Sequence, residues 1–292
     1  MSAAPLARAA AARTLRVRTG RHALHVERAG AGPPVLLLHG FTGSTRALDG
    51  VAAGLHAAGF ETIAVDLLGH GRSDAPRDPR AYAMERCSEA LACVLDAAGA
   101  ERAAVLGYSL GGRVALGLAV ASPERVRGLV LVGASAGLAD PAERAARRRA
   151  DDALADAIER DGVPRFVERW MAQPLFATQA RLGPERLAVA RAQRLANSAH
   201  GLAASLRGIG TGVQPPLHEA LARLDVPILL TAGAEDAKFR AIAEELAACA
   251  ARARVAVIPH AGHAAHLESP AAFLTVASDF LRSLEPERRP RS

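Results

Sequence analysis

The segment from Ala103 through Leu106, Gly107-Tyr108-Ser109-Leu110-Gly111 and on to Arg113 constrains the fold more than any other part of the chain. An apolar run with strand character, Ala103 to Leu106, enters Gly-x-Ser-x-Gly and passes directly into a helical pattern, Arg113 to Ala121. A serine on so tight a strand-to-helix bend crowds its neighbours against adjacent backbone. Gly107 and Gly111 remove the side chains that would clash, and the Ser109 hydroxyl then projects from the carboxyl edge of a sheet. The Leu110 N–H opens the helix on that same side. As a bare pattern the motif also occurs in ordinary Gly/Ser turns, so the rest of the chain decides its meaning.

Leu15 to Arg18 and Leu24 to Glu27 alternate apolar and polar residues around Thr19-Gly20, which predicts an antiparallel hairpin at a sheet edge. Val35 to Leu38 is a continuous apolar run, as in a strand buried on both faces. It stops at His39-Gly40-Phe41, where the Phe41 N–H is placed to stand beside that of Leu110 as a second oxyanion donor. Helical patterns at Arg46 to Ala58, Ala81 to Ala98 and Arg113 to Ala121 alternate with strands at Thr62 to Val65, Ala103 to Leu106 and Leu129 to Val132. Such alternation implies an α/β fold, mostly parallel in its sheet with helices on both faces, whose ligands bind at the strands' carboxyl ends.

Between about Ala134 and Pro216 the alternation stops, leaving helical pieces at Pro141 to Arg160, Pro164 to Met171, Pro184 to Arg194 and Ala199 to Arg207. An all-helical insertion of this kind reads as a lid over the carboxyl edge. Strands at Val226 to Thr231 and Val255 to Ile258 follow, with helices at Ala237 to Ala250 and Ser269 to Leu284. The expected organisation is a core of residues 13–133 and 217–285, a helical lid of 134–216, and disordered tails at 1–12 and 286–292.

The net charge of +6 comes from arginine, since Lys238 is the only lysine, and suits an anionic small substrate if the arginines converge. Aromatics are 3% of the chain and do not interleave with basic residues, which argues against nucleic acid as a partner. No run approaches the ~20 apolar residues of a membrane span. Cys87, Cys93 and Cys249 lack Cys-x-x-Cys spacing, which argues against a disulfide framework and a zinc site and for a reducing compartment. Residues 1–18 contain no acid and carry four arginines, a weak likeness to a transit peptide, but Arg8 interrupts the only apolar stretch. A cytoplasmic location is expected.

A serine hydroxyl becomes reactive when a histidine accepts its proton and a carboxylate orients that histidine. Asp236 follows one late strand, within Ala232-Gly233-Ala234-Glu235-Asp236, and His263 follows the next, within Ala261-Gly262-His263. The order Ser109, Asp236, His263 brings three loops to one sheet edge. Asp236 also reads as a helix N-cap with Glu235 as its rival, and His260 and His266 compete with His263.

With this elbow, the His39-Gly40-Phe41 loop, the turn from Asp66 to Ser73 and the order of Ser, Asp and His, the chain resembles the α/β-hydrolase superfamily along nearly its whole length. Five segments resemble one subfamily, MenH, the 2-succinyl-6-hydroxy-2,4-cyclohexadiene-1-carboxylate synthases of menaquinone biosynthesis. They are Gly107 to Arg113, Gln173 to Ala177, Gly210 to Leu217, Asp236 to Arg240 and Ala261 to His266. The resemblance implies a lyase that eliminates pyruvate from 2-succinyl-5-enolpyruvyl-6-hydroxy-3-cyclohexene-1-carboxylate, with no metal or organic cofactor. It also implies that Arg113, Arg147 and Arg194 meet the carboxylates of a small tricarboxylate substrate and that Tyr108, Trp170 and Phe176 line the pocket. Arg148 and Arg191 are register rivals, and Trp170 and Phe176 also read as core. The expected assembly is a monomer or small homo-oligomer. Competing readings are a serine esterase or carbon–carbon bond hydrolase, and a non-catalytic ligand-binding relative.

Overall fold

The computed structural model describes residues 13–284, so the tails expected to be disordered lie outside the described residues. β1 (Arg13–Thr19) and β2 (His22–Gly30) form the hairpin, followed by β3 (Pro34–Leu38). α1 (Asp49–Ala57), β4 (Glu61–Val65), α2 (Met84–Ala97), β5 (Ala103–Tyr108), α3 (Leu110–Ala121) and β6 (Val126–Val132) continue the alternation. Next come α4 (Pro141–Met171), a 3-10 stretch at Pro174–Leu182, α5 (Pro184–Leu195), α6 (Ala199–Ile209) and the short α7 (His218–Ala222). β7 (Ile228–Gly233), α8 (Ala237–Cys249), β8 (Ala253–Ile258), the short α9 (Ala265–Glu268) and α10 (Pro270–Ser283) complete the described chain.

The strands form one sheet in the order β1-β2-β4-β3-β5-β6-β7-β8. β2 is antiparallel to both its neighbours, and every pairing from β4 to β8 is parallel. The apolar run of β3 shows why a strand must be hydrophobic throughout when both faces are covered. Leu36 and Leu38 pack on the side of α2, α3 and α8, whereas Val35 and Leu37 pack on the side of α1 and α10. A third apolar cluster, around Ile158, Phe166, Val167, Leu202 and Leu206, holds α4 and α6 together away from the sheet.

Several boundaries differ from the sequence reading, each for a local reason. Helix α3 starts at Leu110 rather than Arg113 because the bend is completed within Ser109. The two helical pieces expected at 141–160 and 164–171 form one run kinked at Gly162, whose φ of 81° a glycine adopts readily. β7 begins at Ile228 rather than Val226 because Pro227 has no N–H for the ladder, although its carbonyl accepts from Leu129 at 2.9 Å. The 3-10 stretch and the short α7 and α9 carry too little periodicity to be seen in sequence.

Candidate active site

Register brings the loops together. Leu38 pairs with Gly107 and Val132 with Tyr108, so the loop after β3 and the bend after β5 emerge side by side. A Cβ on Gly107 would lie 2.4 Å from the Gly111 carbonyl oxygen, and one on Gly111 would lie 2.2 Å from that of Leu38. Ser109 takes the strained conformation φ 50°, ψ −107° that the bend demands, with its N–H donating to Val132 O at 2.9 Å.

His263 lies across from it. Its Nδ1–H donates to Asp236 Oδ2 at 2.9 Å, and its Nε2 is 3.3 Å from the Ser109 hydroxyl. Asp236 satisfies both sequence readings at once, because its Oδ1 also accepts the Phe239 N–H at 3.1 Å and caps α8. The rivals are engaged elsewhere. Glu235 pairs with Arg181 at 2.9 Å, His260 is exposed, and His266 is buried against the Tyr108 ring.

The loop bearing Phe41 is fixed from beneath by His39. Its Nδ1–H donates to Gly40 O at 2.7 Å and its Nε2 accepts the Leu67 N–H at 3.0 Å, while burial lowers its pKa and favours the neutral ring. Buried Asp66 accepts N–H bonds from Thr45 at 2.6 Å and Arg72 at 2.8 Å, tying this loop to the turn after β4. Asn197 joins both to the helical segment: its Nδ2 donates to Thr42 O at 2.9 Å, and its Oδ1 accepts the Gly71 N–H at 3.0 Å.

Ser109, His263, Phe41 and Leu110 line a cavity of about 180 Å³ closed by α4, α6 and the 3-10 stretch. Arg113 and Arg147 line its far wall. Arg113 is 9% exposed and donates through Nη1 to Ile209 O at 2.9 Å and Gln214 Oε1 at 2.6 Å. Burial, and then the charge of Arg147, push its pKa down to about 10. Arg147 is held by Asp151 at 2.8 Å, whereas its rival Arg148 is exposed and faces Asp152. Trp170 and Phe176 also line the cavity, and both belong to an aromatic cluster with Phe41, so the core and pocket readings hold together. Tyr108 lines it, its ring tilted against that of His263 with 5.4 Å between centroids.

Arg194 lines an adjoining cavity that shares Phe41 and Tyr108 with the first, and its Nη1 donates to Ala190 O at 2.9 Å on its own helix. Its rival Arg191 reaches Glu168 at 3.6 Å on the outside.

Four contributors escaped the sequence reading. Lys238 and Phe239 line the Ser109 cavity, the Phe239 ring 4.4 Å from that of His263, and their adjacency to Asp236 was the available signal. Gln214 orients Arg113 from within the Gly210 to Leu217 segment. Glu268, 3% exposed in its side chain, accepts the N–H groups on either side of His263, from Gly262 at 2.8 Å and Ala264 at 3.1 Å. Among the described residues, no three His, Cys, Asp or Glu side chains are grouped to hold a metal ion, and no helix is long and apolar enough to cross a membrane.

An eight-stranded sheet with this elbow and this Ser, His and Asp geometry defines a class, and the chain belongs to the α/β-hydrolase fold family, whose model matches residues 33–270. Within it the chain is 40% identical, over 90% of its own length and 96% of the relative's, to the putative 2-succinyl-6-hydroxy-2,4-cyclohexadiene-1-carboxylate synthase of Bacillus subtilis. It is 34% identical to the 2-succinyl-6-hydroxy-2,4-cyclohexadiene-1-carboxylate synthase of Salmonella paratyphi C, covering 89% of this chain and 98% of that one. Among solved structures, that of MenH from S. aureus superposes with a TM-score of 0.85 at 31% identity, covering 91% of this chain and all of that one, 100%.

Proposed function

We propose that this protein is a carbon–oxygen lyase that eliminates pyruvate from 2-succinyl-5-enolpyruvyl-6-hydroxy-3-cyclohexene-1-carboxylate to give 2-succinyl-6-hydroxy-2,4-cyclohexadiene-1-carboxylate. The observation that carries this reading is the charge of the Ser109 cavity: Arg113, Arg147 and Lys238 line it, and no carboxylate does. Arg147 is matched by Asp151, whereas buried Arg113 bonds the neutral oxygens of Ile209 and Gln214, so an anionic ligand offsets the desolvation of its charge. A tricarboxylate substrate does so, and a neutral ester does not. The names of the relatives point the same way.

Asp236 fixes the Nδ1–H tautomer of His263 and leaves Nε2 free to take the Ser109 proton, so Ser109 oxygen removes a substrate proton next to the succinyl carbonyl. The 3.3 Å contact is long for a working hydrogen bond and tightens when substrate fills the cavity. Negative charge then develops on the carbonyl oxygen, where the N–H groups of Phe41 and Leu110 receive it, each such donor worth ~10²–10³ in rate. The carbon–oxygen bond to the enolpyruvyl group breaks as the ring double bond forms. The departing enolate regains a proton at carbon to become pyruvate, which returns His263 to its neutral state. Charge-assisted bonds from Arg113 and Arg147 hold the substrate carboxylates throughout.

Mass spectrometry of the protein during turnover tests this reading. Elimination predicts pyruvate in step with the cyclohexadiene product and unmodified Ser109. An acyl adduct on Ser109, together with faster turnover of neutral esters, would replace the lyase with a hydrolase.

A further inference from the structure

One exposed side chain outside the Ser109 cavity reaches both loops that carry the histidine and its carboxylate. Arg181 lies in the 3-10 stretch Pro174–Leu182 and does not line that cavity. Its Nη1 donates to Glu235 Oε1 at 2.9 Å, and its Nη2 stands 3.9 Å from Glu268 Oε2. Glu235 immediately precedes Asp236, and the Glu268 carboxylate accepts the amides on either side of His263. A planar guanidinium, with its donors on a rigid fork, can face two carboxylates at once.

Glu268 gives the contact its weight. Its side chain is almost wholly buried, so its charge needs an opposite charge as well as the two amide bonds, and Arg181 supplies that cation. On their inner side the two loops are already tied by backbone, the Glu235 N–H donating to Ala261 O and the Ala234 N–H to Ile258 O, both at 2.9 Å. Arg181 joins the same two loops from the solvent side, and the 2.9 Å bond between Asp236 and His263 spans them. The stretch that carries it is seated closely here: a Cβ on Gly262 would lie 2.2 Å from Thr178 Oγ1, and Arg186 donates to Leu267 O at 2.9 Å. Phe176, in the same stretch, lines the Ser109 cavity with its ring 6.4 Å from that of His263. One short segment therefore touches the cavity at one end and the carboxylates that support the two loops at the other.

We propose that Arg181 is a positioning residue for His263: by bridging Glu235 and Glu268 it fixes the distance between the Asp236 loop and the His263 loop, and so the geometry of the bond between them. This rests on the reading of His263 as the group that takes the Ser109 proton. An exposed ion pair adds little to stability. Because Arg181 also lies outside the cavity, its loss is read in kcat, unlike that of the arginines that line the cavity.

Proton NMR and steady-state pyruvate release, both on the full chain, test this together. The low-field Nδ1–H resonance of His263, identified by its disappearance in His263→Gln, should move upfield and broaden in Arg181→Gln. In the same variant kcat should fall about tenfold with KM within about twofold of the parent, because small misplacements of a reacting group are costly. Arg181→Lys keeps the charge without the fork and should recover part of both effects. Glu235→Gln should resemble Arg181→Gln, and the double variant should lose no more than either alone. An unmoved resonance in Arg181→Gln overturns the proposal whatever the kcat, and with a lowered melting temperature it leaves Arg181 a structural contact only. A raised KM with kcat intact overturns it too, by placing Arg181 on the substrate. Absence of pyruvate release in the parent protein would contradict the lyase reading, and the resonance would then decide for or against Arg181 by itself.

Discussion

The loops at the carboxyl edge of the sheet and the helical segment between β6 and β7 place their polar groups around Ser109 by different means. The loops are held by backbone: Gly107 and Gly111 in van der Waals conflict with any side chain, Glu268 bonded to the amides flanking His263, and Asp66 to those of Thr45 and Arg72. In the helical segment the means are side chains. Arg147 relies on Asp151 one helical turn away, and the aromatic rings of Trp170 and Phe176 rest on one another and on Phe41. Backbone-held groups have little freedom to lose, so they suit the reacting geometry. Side-chain-held groups tolerate substitution, so they suit the choice of substrate.

The largest expected effect falls on the loops. His263→Ala should lower kcat by ~10²–10⁴, the usual contribution of a general base, while leaving the melting temperature near that of the parent protein. Glu268→Ala comes next. If this carboxylate is a positioning residue for His263, kcat falls by about 10–100-fold with KM nearly constant, and Glu268→Gln, which retains an acceptor, recovers part of the loss. Steady-state kinetics separate this from simple destabilisation, which would lower active enzyme without moving the kcat of the folded fraction.

The helical segment should respond in the opposite parameter. Arg147→Ala removes a charge-assisted bond of ~1.5–3 kcal/mol and should raise KM by about 10–100-fold, while Arg148→Ala leaves it unchanged. Equal effects of the two would break the distinction between cavity and solvent faces. Asn197→Ala cuts the tie between the regions, and a loss of ~1–2 kcal/mol in urea unfolding is expected.

The smallest effect is a pH trend. Burial pushes His70 and His266 from the ordinary 6.5 down to about 3. The unfolded chain therefore takes up protons that the folded chain refuses, and stability present above pH 6.5 should decline as pH falls toward 3. Urea titrations should show a shallower decline for His70→Leu.

The backbone-held half was far more legible in sequence than the other. Glycine spacing, strand endings and the order of Ser109, Asp236 and His263 are local signals, and each has a backbone cause that the structure displays. Arg194 shows where such signals end. It shares a helix with Arg191, and the pattern of α5 does not say which cavity a long side chain enters. Glu268 was silent for a related reason, because a carboxylate bonding backbone amides leaves no spacing to read. The 3-10 stretch at Pro174–Leu182 sets Phe176 against Trp170 of the preceding helix, a contact that carries no helical or strand period to read.

The central claim is that a backbone-held Ser109 works on a substrate gripped by buried Arg113 and half-exposed Arg147. The most direct measurement is pyruvate release from freshly prepared enolpyruvyl substrate, coupled to lactate dehydrogenase, in the parent protein, Ser109→Ala and Arg113→Ala. Rapid release in the parent, a collapse of kcat in Ser109→Ala and a raised KM in Arg113→Ala are predicted. Release at the spontaneous background rate in the parent, or undiminished release in Ser109→Ala, would contradict it.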